Sequence, residues 1–217
     1  MLSDAAMGTA YLGPQRQIYT LSANRFAAYD RQIGAPICSV TLGGVSFAVG
    51  SAVGGLKGVF SSFRSTLTAY GMDCSVRNVF EDVGRTDLRV YSVSDSGWIL
   101  ASDYKVDSIF APFDPFAARL IGVTVDGTAS WQNSSIAPNT PGGASPIRAR
   151  HGSIVYVSGF DTLDANRLKL FGVDEASGVI LSSFDLSSIC VSCGVAVDDD
   201  GVVYVNVSNV ARIYRVR

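Results

Sequence analysis

The 217-residue sequence is short of charge, of histidine and of lysine. Charged residues make up 17% of it and the formal net charge is -2. No basic stripe exists to track a phosphate backbone, so nucleic acid is not an expected partner. Only one histidine occurs, His151, in "RARHGSIVY". Any Ser-His-Asp or Cys-His relay must use it. It stands just before a predicted strand, beside Arg148 and Arg150, whose charges oppose a protonated imidazole. The expectation is an exposed loop histidine. No Gly-x-Ser-x-Gly elbow is present. No apolar run reaches the roughly 18 residues that span a bilayer, so no membrane partner is expected. The first residues show no basic region followed by an apolar stretch. The expected setting is the cytoplasm or a virion. Helical periodicity is nearly absent, and residues 1–8, "MLSDAAMG", offer one turn at most.

Four cysteines occur, at 38, 74, 190 and 193. Cys190-Val191-Ser192-Cys193 has zinc-knuckle spacing. On one strand, however, its two sulfurs would face opposite sides. A complete site would also need Cys38 and Cys74, or His151, nearby. The expectation is therefore four buried free thiols and no metal. "GGVSFAVGSAVGGLKG" has glycines without the P-loop spacing, and no Ser or Thr follows Lys57. These glycines are expected in tight turns between strands.

What is present is alternation. "VAVDDDGVVYVNVSNVARIYRVR" closes the sequence with Val195–Val197, an Asp-Gly turn, Val202–Val207, a Ser-Asn turn and Arg212–Val216. That is a three-stranded antiparallel meander. Its faces are both apolar, so it must stack between similar units. Related units read Arg16–Leu42, Leu88–Asp103, Ser108–Trp131 and Gly152–Leu186. In the last of these the strands are Ile154–Gly159, Leu168–Val173 and Val179–Phe184. One strand of each repeat begins near Arg25, Thr66, Arg119, Arg167 and Arg212, at steps of 41, 53, 48 and 45 residues. Steps of this size mark solenoids and propellers. Residues 43–87 can be cut into strands in two registers.

The final unit, "GVAVDDDGVVYVNVSNVARIYRV", resembles an NHL or gluconolactonase-type blade. The first, "IYTLSANRFAAYDRQIGAPICSVTLGG", resembles a quinoprotein-type blade. The resemblance to the β-propeller repeat families implies an all-β, single-domain propeller over residues 1–217, with four to five antiparallel blades and five favoured. Gluconolactonase-like propellers hold a channel metal with acidic and amide side chains. Glu81, Asp107, Asp114, Asn133 and Asp198 are of the right type, but none aligns with that pattern. No cofactor and no metal ligand is carried over.

Tyr19, Tyr29, Tyr70, Tyr91, Tyr156, Tyr204 and Tyr214 recur in strands and are expected to fill the gaps between blades. Trp98 opens a strand and Trp131 closes one; both are sugar-stacking candidates if the protein is a lectin. The expected function is a non-catalytic structural or protein-interaction module, in a larger assembly or homo-oligomer, such as a phage tail or capsid-surface component. A lectin-like propeller and a metal-dependent hydrolase or lactonase are the alternatives. Interface residues are expected in two loops, Ala137–Arg150 and Asp161–Asn166, with Asn139, Arg148, Arg150, Asp161 and Asp164 as candidates.

Overall fold

The structure is a computed structural model that describes residues 9–12, 17–22, 25–42, 52–55, 57–84, 87–104, 118–138, 148–186, 194–207 and 210–215. The described residues contain strands and turns and no helix. Residues 1–8, the Cys-x-x-Cys stretch and the 139–147 part of the expected interface loop lie outside them.

Five antiparallel sheets follow one another along the chain. The first contains β1 (Thr9–Leu12), β2 (Ile18–Leu21), β3 (Arg25–Tyr29) and β4 (Pro36–Thr41). The second contains β5 (Ala52–Gly55), β6 (Gly58–Phe63), β7 (Thr66–Tyr70) and β8 (Val76–Glu81). The third contains β9 (Asp87–Val93), β10 (Trp98–Tyr104), β11 (Arg119–Thr124) and β12 (Ser130–Asn133). In the fourth, β13 (Ile136–Pro138) and β14 (Arg148–His151) share the partner β15 (Ile154–Asp161), followed by β16 (Asp164–Asp174) and β17 (Ile180–Asp185). The fifth contains β18 (Gly194–Val197), β19 (Val202–Val207) and β20 (Val210–Arg215). The strands recognised by their repeat spacing are β3, β7, β11, β16 and β20: the third in chain order in four sheets and the fourth of five in the fourth sheet. β1 pairs with β2 inside the first sheet.

The turn from third to fourth strand repeats a device. Asp30 accepts the backbone N–H groups of Gln32 and Ile33, Asp73 that of Ser75, Asp126 that of Thr128, and Asp174 that of Ser177. Each carboxylate mimics a backbone carbonyl and closes an Asx turn. In "DRQIG" and "DEASG" a glycine with positive φ ends the turn, Gly34 at 67° and Gly178 at 73°.

The chain forms two compact units, Met1–Val106 with Val123–Ser130, and Asp107–Gly122 with Trp131–Arg217. In the first unit one core cluster contains Tyr19, Phe26, Ala28, Leu42, Val59, Tyr70 and Cys74. Tyr19 stacks on Phe26 with centroids 5.6 Å apart, and Phe26 on Tyr70 at 4.6 Å. In the second unit a cluster contains Tyr156, Leu168, Leu170, Leu186, Val203 and Val205. Tyr19, Tyr70, Tyr91 and Tyr156 are buried, as packing residues should be. Tyr29 is half-buried, and Tyr204 is exposed, its hydroxyl donating to Asp198 Oδ2 at 2.8 Å. It lies on the face of β19 opposite Val203 and Val205, which take the core.

The Gly-rich segment also departs from expectation. Gly54 and Gly55 are not turn residues but close β5. A Cβ on Gly54 would stand 2.6 Å from Tyr11 Cβ, and one on Gly55 2.7 Å from Val93 Cγ1. Glycine here permits β1, β5 and β9 to approach one another more closely than side chains allow.

Candidate interaction surface

The expected loop Asp161–Asn166 is a tight hairpin. β15 and β16 pair up to Asp161 opposite Asp164, leaving Thr162 and Leu163 as the turn. A register shift between Phe160 and Asp161 admits the turn, and Asp161 Oδ1 accepts the Leu163 N–H at 3.0 Å. The polar run "DTLDAN" reads as a loop because its acids satisfy backbone and cations locally. At eight and eleven residues these are the longest described strands.

Leu163 projects from the tip and is 92% exposed. The strands that lead to and from it carry ion pairs. Lys169 Nζ meets Asp161 Oδ2 at 2.7 Å. Arg167 reaches Asp164 at 3.2 Å and Asp185 at 3.3 Å. The hydrogen bond from Lys169, with help from the Leu163 N–H, holds the Asp161 carboxyl below its usual range. The same bond raises Lys169. Such surface pairs contribute about 1 kcal/mol or less, so their effect here is to fix side-chain positions rather than to stabilise the fold.

The other candidate residues are dispersed. Ala137 lies in β13 and Arg148–Arg150 in β14, so both ends of the expected loop are strand; Asn139 is outside the described residues. Arg150 forms an ion pair with the buried Glu175. His151 is not a loop residue. It ends β14, is half-buried, and its Nε2 would stand 3.3 Å from a Cβ at Gly201.

Trp131 is interior to β12 rather than at its end. Its Nε1 donates to Glu175 O at 2.7 Å, and its ring lies so close to Gly122 and Gly178 that Cβ atoms there would come within 2.2 and 2.4 Å of it. The indole packs on two glycine backbones. Trp98 begins β10, half-buried. Of the channel-ligand types, Asn133 bonds Gly178 O and the Ser135 N–H, and Asp198 bonds Val202 N–H and Tyr204. Asp107 and Asp114 are outside the described residues, and Glu81 is exposed at the end of β8. Among the described residues, no three His, Cys, Asp or Glu side chains come together as a metal would require.

Cys38 and Cys74 overturn the free-thiol expectation by forming a disulfide across 36 residues, with Cα atoms 5.9 Å apart. Sequence spacing gave no sign of it, because β4 and the turn after β7 meet only through sheet packing.

No family model matches this chain, and no curated protein matches it. Solved structures do. The complex of KlAtg21 with the coiled-coil of AgAtg16 aligns with a TM-score of 0.60 at 12% identity, over 92% of this chain and 63% of that one. Virginiamycin B lyase from Staphylococcus aureus aligns at 0.54 and 10% identity, over 91% and 61%. The Dos1 propeller aligns at 0.52 and 9%, over 87% and 49%. The chain thus spans less than two thirds of each of these proteins. At such identities the likeness concerns fold, and the fold is that of the β-propellers, here with five successive sheets.

Proposed function

We propose that this propeller is a non-catalytic protein-interaction module whose docking element is the β15–β16 hairpin tip. The observation that carries this reading is Leu163, almost fully exposed at the tip of a hairpin whose strands carry the ion pairs Lys169–Asp161, Arg167–Asp164 and Arg167–Asp185. An apolar side chain held in water gains free energy when a partner covers it, and the ordered charges select which partner can. The KlAtg21 structure, in complex with a coiled-coil, supports the choice of a protein partner. Virginiamycin B lyase has an enzyme's name, and nothing in the candidate site points to its chemistry.

The finer reading is a component of an assembly such as a phage tail or capsid surface. Its support is the sequence alone: 47% hydrophobic residues against 17% charged. The test begins with light scattering after size exclusion across protein and salt concentration, comparing wild type with Leu163→Asp. Concentration-dependent assembly that the variant abolishes supports a docking tip in a homo-oligomer. For a separate partner protein, cross-links should map to Asp161–Arg167 and disappear in the variant. Partner contacts that survive the variant unchanged would overturn the reading.

A further inference from the structure

The two sulfurs of the Cys38–Cys74 bond occupy unequal places. Cys38 is on β4, half-buried, between exposed Ile37 and Ser39. Cys74 is buried at 8% exposure in the turn after β7. That turn is held by hydrogen bonds of its own besides the disulfide. Gly71 N–H donates to Ser75 O, Cys74 N–H to Gly71 O, and Ser75 N–H to Asp73 Oδ1. Cys74 itself adopts φ 59°, in the left-handed region. The turn thus presents one sulfur from inside the cluster that Tyr19, Phe26 and Tyr70 build. Cys38 Sγ stands 3.3 Å from Met72 O. As a disulfide sulfur it has no proton to donate; as a thiol it would have an acceptor waiting.

We propose that Cys38 and Cys74 are a redox latch in which Cys38 is the entry sulfur and Cys74 the resolving one, closed by exchange with a small disulfide. The Cys38 thiolate attacks a sulfur of the small disulfide, such as glutathione disulfide. A mixed disulfide forms and one glutathione thiolate leaves. The Cys74 thiolate then attacks Cys38 Sγ, forming the Cys38–Cys74 bond and releasing the second glutathione. Two protein thiols are oxidised by two electrons, one glutathione disulfide is reduced, and the two protons go to the released thiolates. Access sets the order, because an incoming disulfide reaches the rim strand before the buried turn. The latch closes where disulfides persist and opens in a reducing compartment.

The experiment uses the full chain carrying C190S and C193S, reduced, desalted and exposed to glutathione disulfide, then acid-quenched for intact and peptide mass. The expected product is a peptide linking Cys38 to Cys74. With Cys74→Ser added, one glutathione accumulates on Cys38. With Cys38→Ser instead, Cys74 is modified at least tenfold more slowly. Equal or faster modification of Cys74 would overturn the assignment of roles. Should either variant misfold, native-state iodoacetamide labelling of the reduced parent decides: Cys38 must label first, and Cys74 first is a refutation. The four-cysteine protein must also yield the Cys38–Cys74 peptide; links from either to Cys190 or Cys193 would refute the latch.

Discussion

Two joints between neighbouring sheets solve one problem differently. Between the first and second sheets, stacked rings of Tyr19, Phe26 and Tyr70 fill the space and a covalent bond closes its edge. Between the fourth and fifth, Leu168, Leu170, Leu186, Val203 and Val205 pack on Tyr156, with no disulfide among the described residues. Elsewhere in that second unit, Arg150 pairs with Glu175 within the fourth sheet, and Trp131 of β12 donates to the Glu175 carbonyl. Aliphatic side chains interdigitate tightly enough to specify a joint by volume. Flat rings stack with freedom to slide, and a cross-link at their margin removes it.

The largest expected effect is on the first joint. Closing a loop of 36 residues stabilises by about 4 kcal/mol in the chain-entropy view. Reduction, or Cys38→Ser, should lower Tm by roughly 10 °C for a chain of this size. The second joint should not respond to reductant but should respond to volume. Leu170→Ala, at a fully buried position, is expected to cost about 3 kcal/mol in denaturant unfolding. Gly178→Ala should cost about 2 kcal/mol, since its φ of 73° is left-handed and the new methyl meets the Trp131 ring. Loss of near-ultraviolet signal from Trp131 would accompany it.

The pairing of Cys38 with Cys74 was the part of this comparison that no spacing rule could supply. Local chemistry was legible. Val202–Val207 is a strand with the bounds its alternation predicts, and Trp98 starts β10 as its Ser-Asp-Ser-Gly turn requires. One strand of each sheet, β3, β7, β11, β16 and β20, is legible from the turn before it and its recurrence along the chain. Non-local relations were not legible. Gly54 and Gly55 look like turn residues because the reason for them, Tyr11 and Val93, is remote in sequence. Asp161–Asn166 looks like a loop because its acids pair with cations that follow it on β16, Asp161 with Lys169 and Asp164 with Arg167. Asp161 and Asp164 are legible as surface acids, whereas Leu163, one apolar residue in a polar run, carries no sequence sign of its exposure.

The smallest effect should be common to both joints. Asp126 is held at about 2 by its bonds from Thr124 and Thr128, and Asp73, Asp174 and Asp198 are also lowered by side-chain and backbone donors in their turns. A lowered carboxyl contributes its stability above the unfolded value near 4 and loses it as pH falls through the folded value. Tm should therefore hold down to about pH 4 and decline towards pH 2. Asp126→Asn keeps an oxygen acceptor for the Thr128 N–H, so it should change Tm little at neutral pH and flatten the acid decline slightly.

Hydrogen exchange of the oxidised and reduced protein, followed by mass spectrometry, tests most directly whether each joint is stabilised by its own chemistry. On reduction, exchange in β3, β4, β7 and β8 should accelerate by tenfold or more while β15, β16 and β19 keep their protection. Equal acceleration in both groups of strands, or none in either, would contradict it.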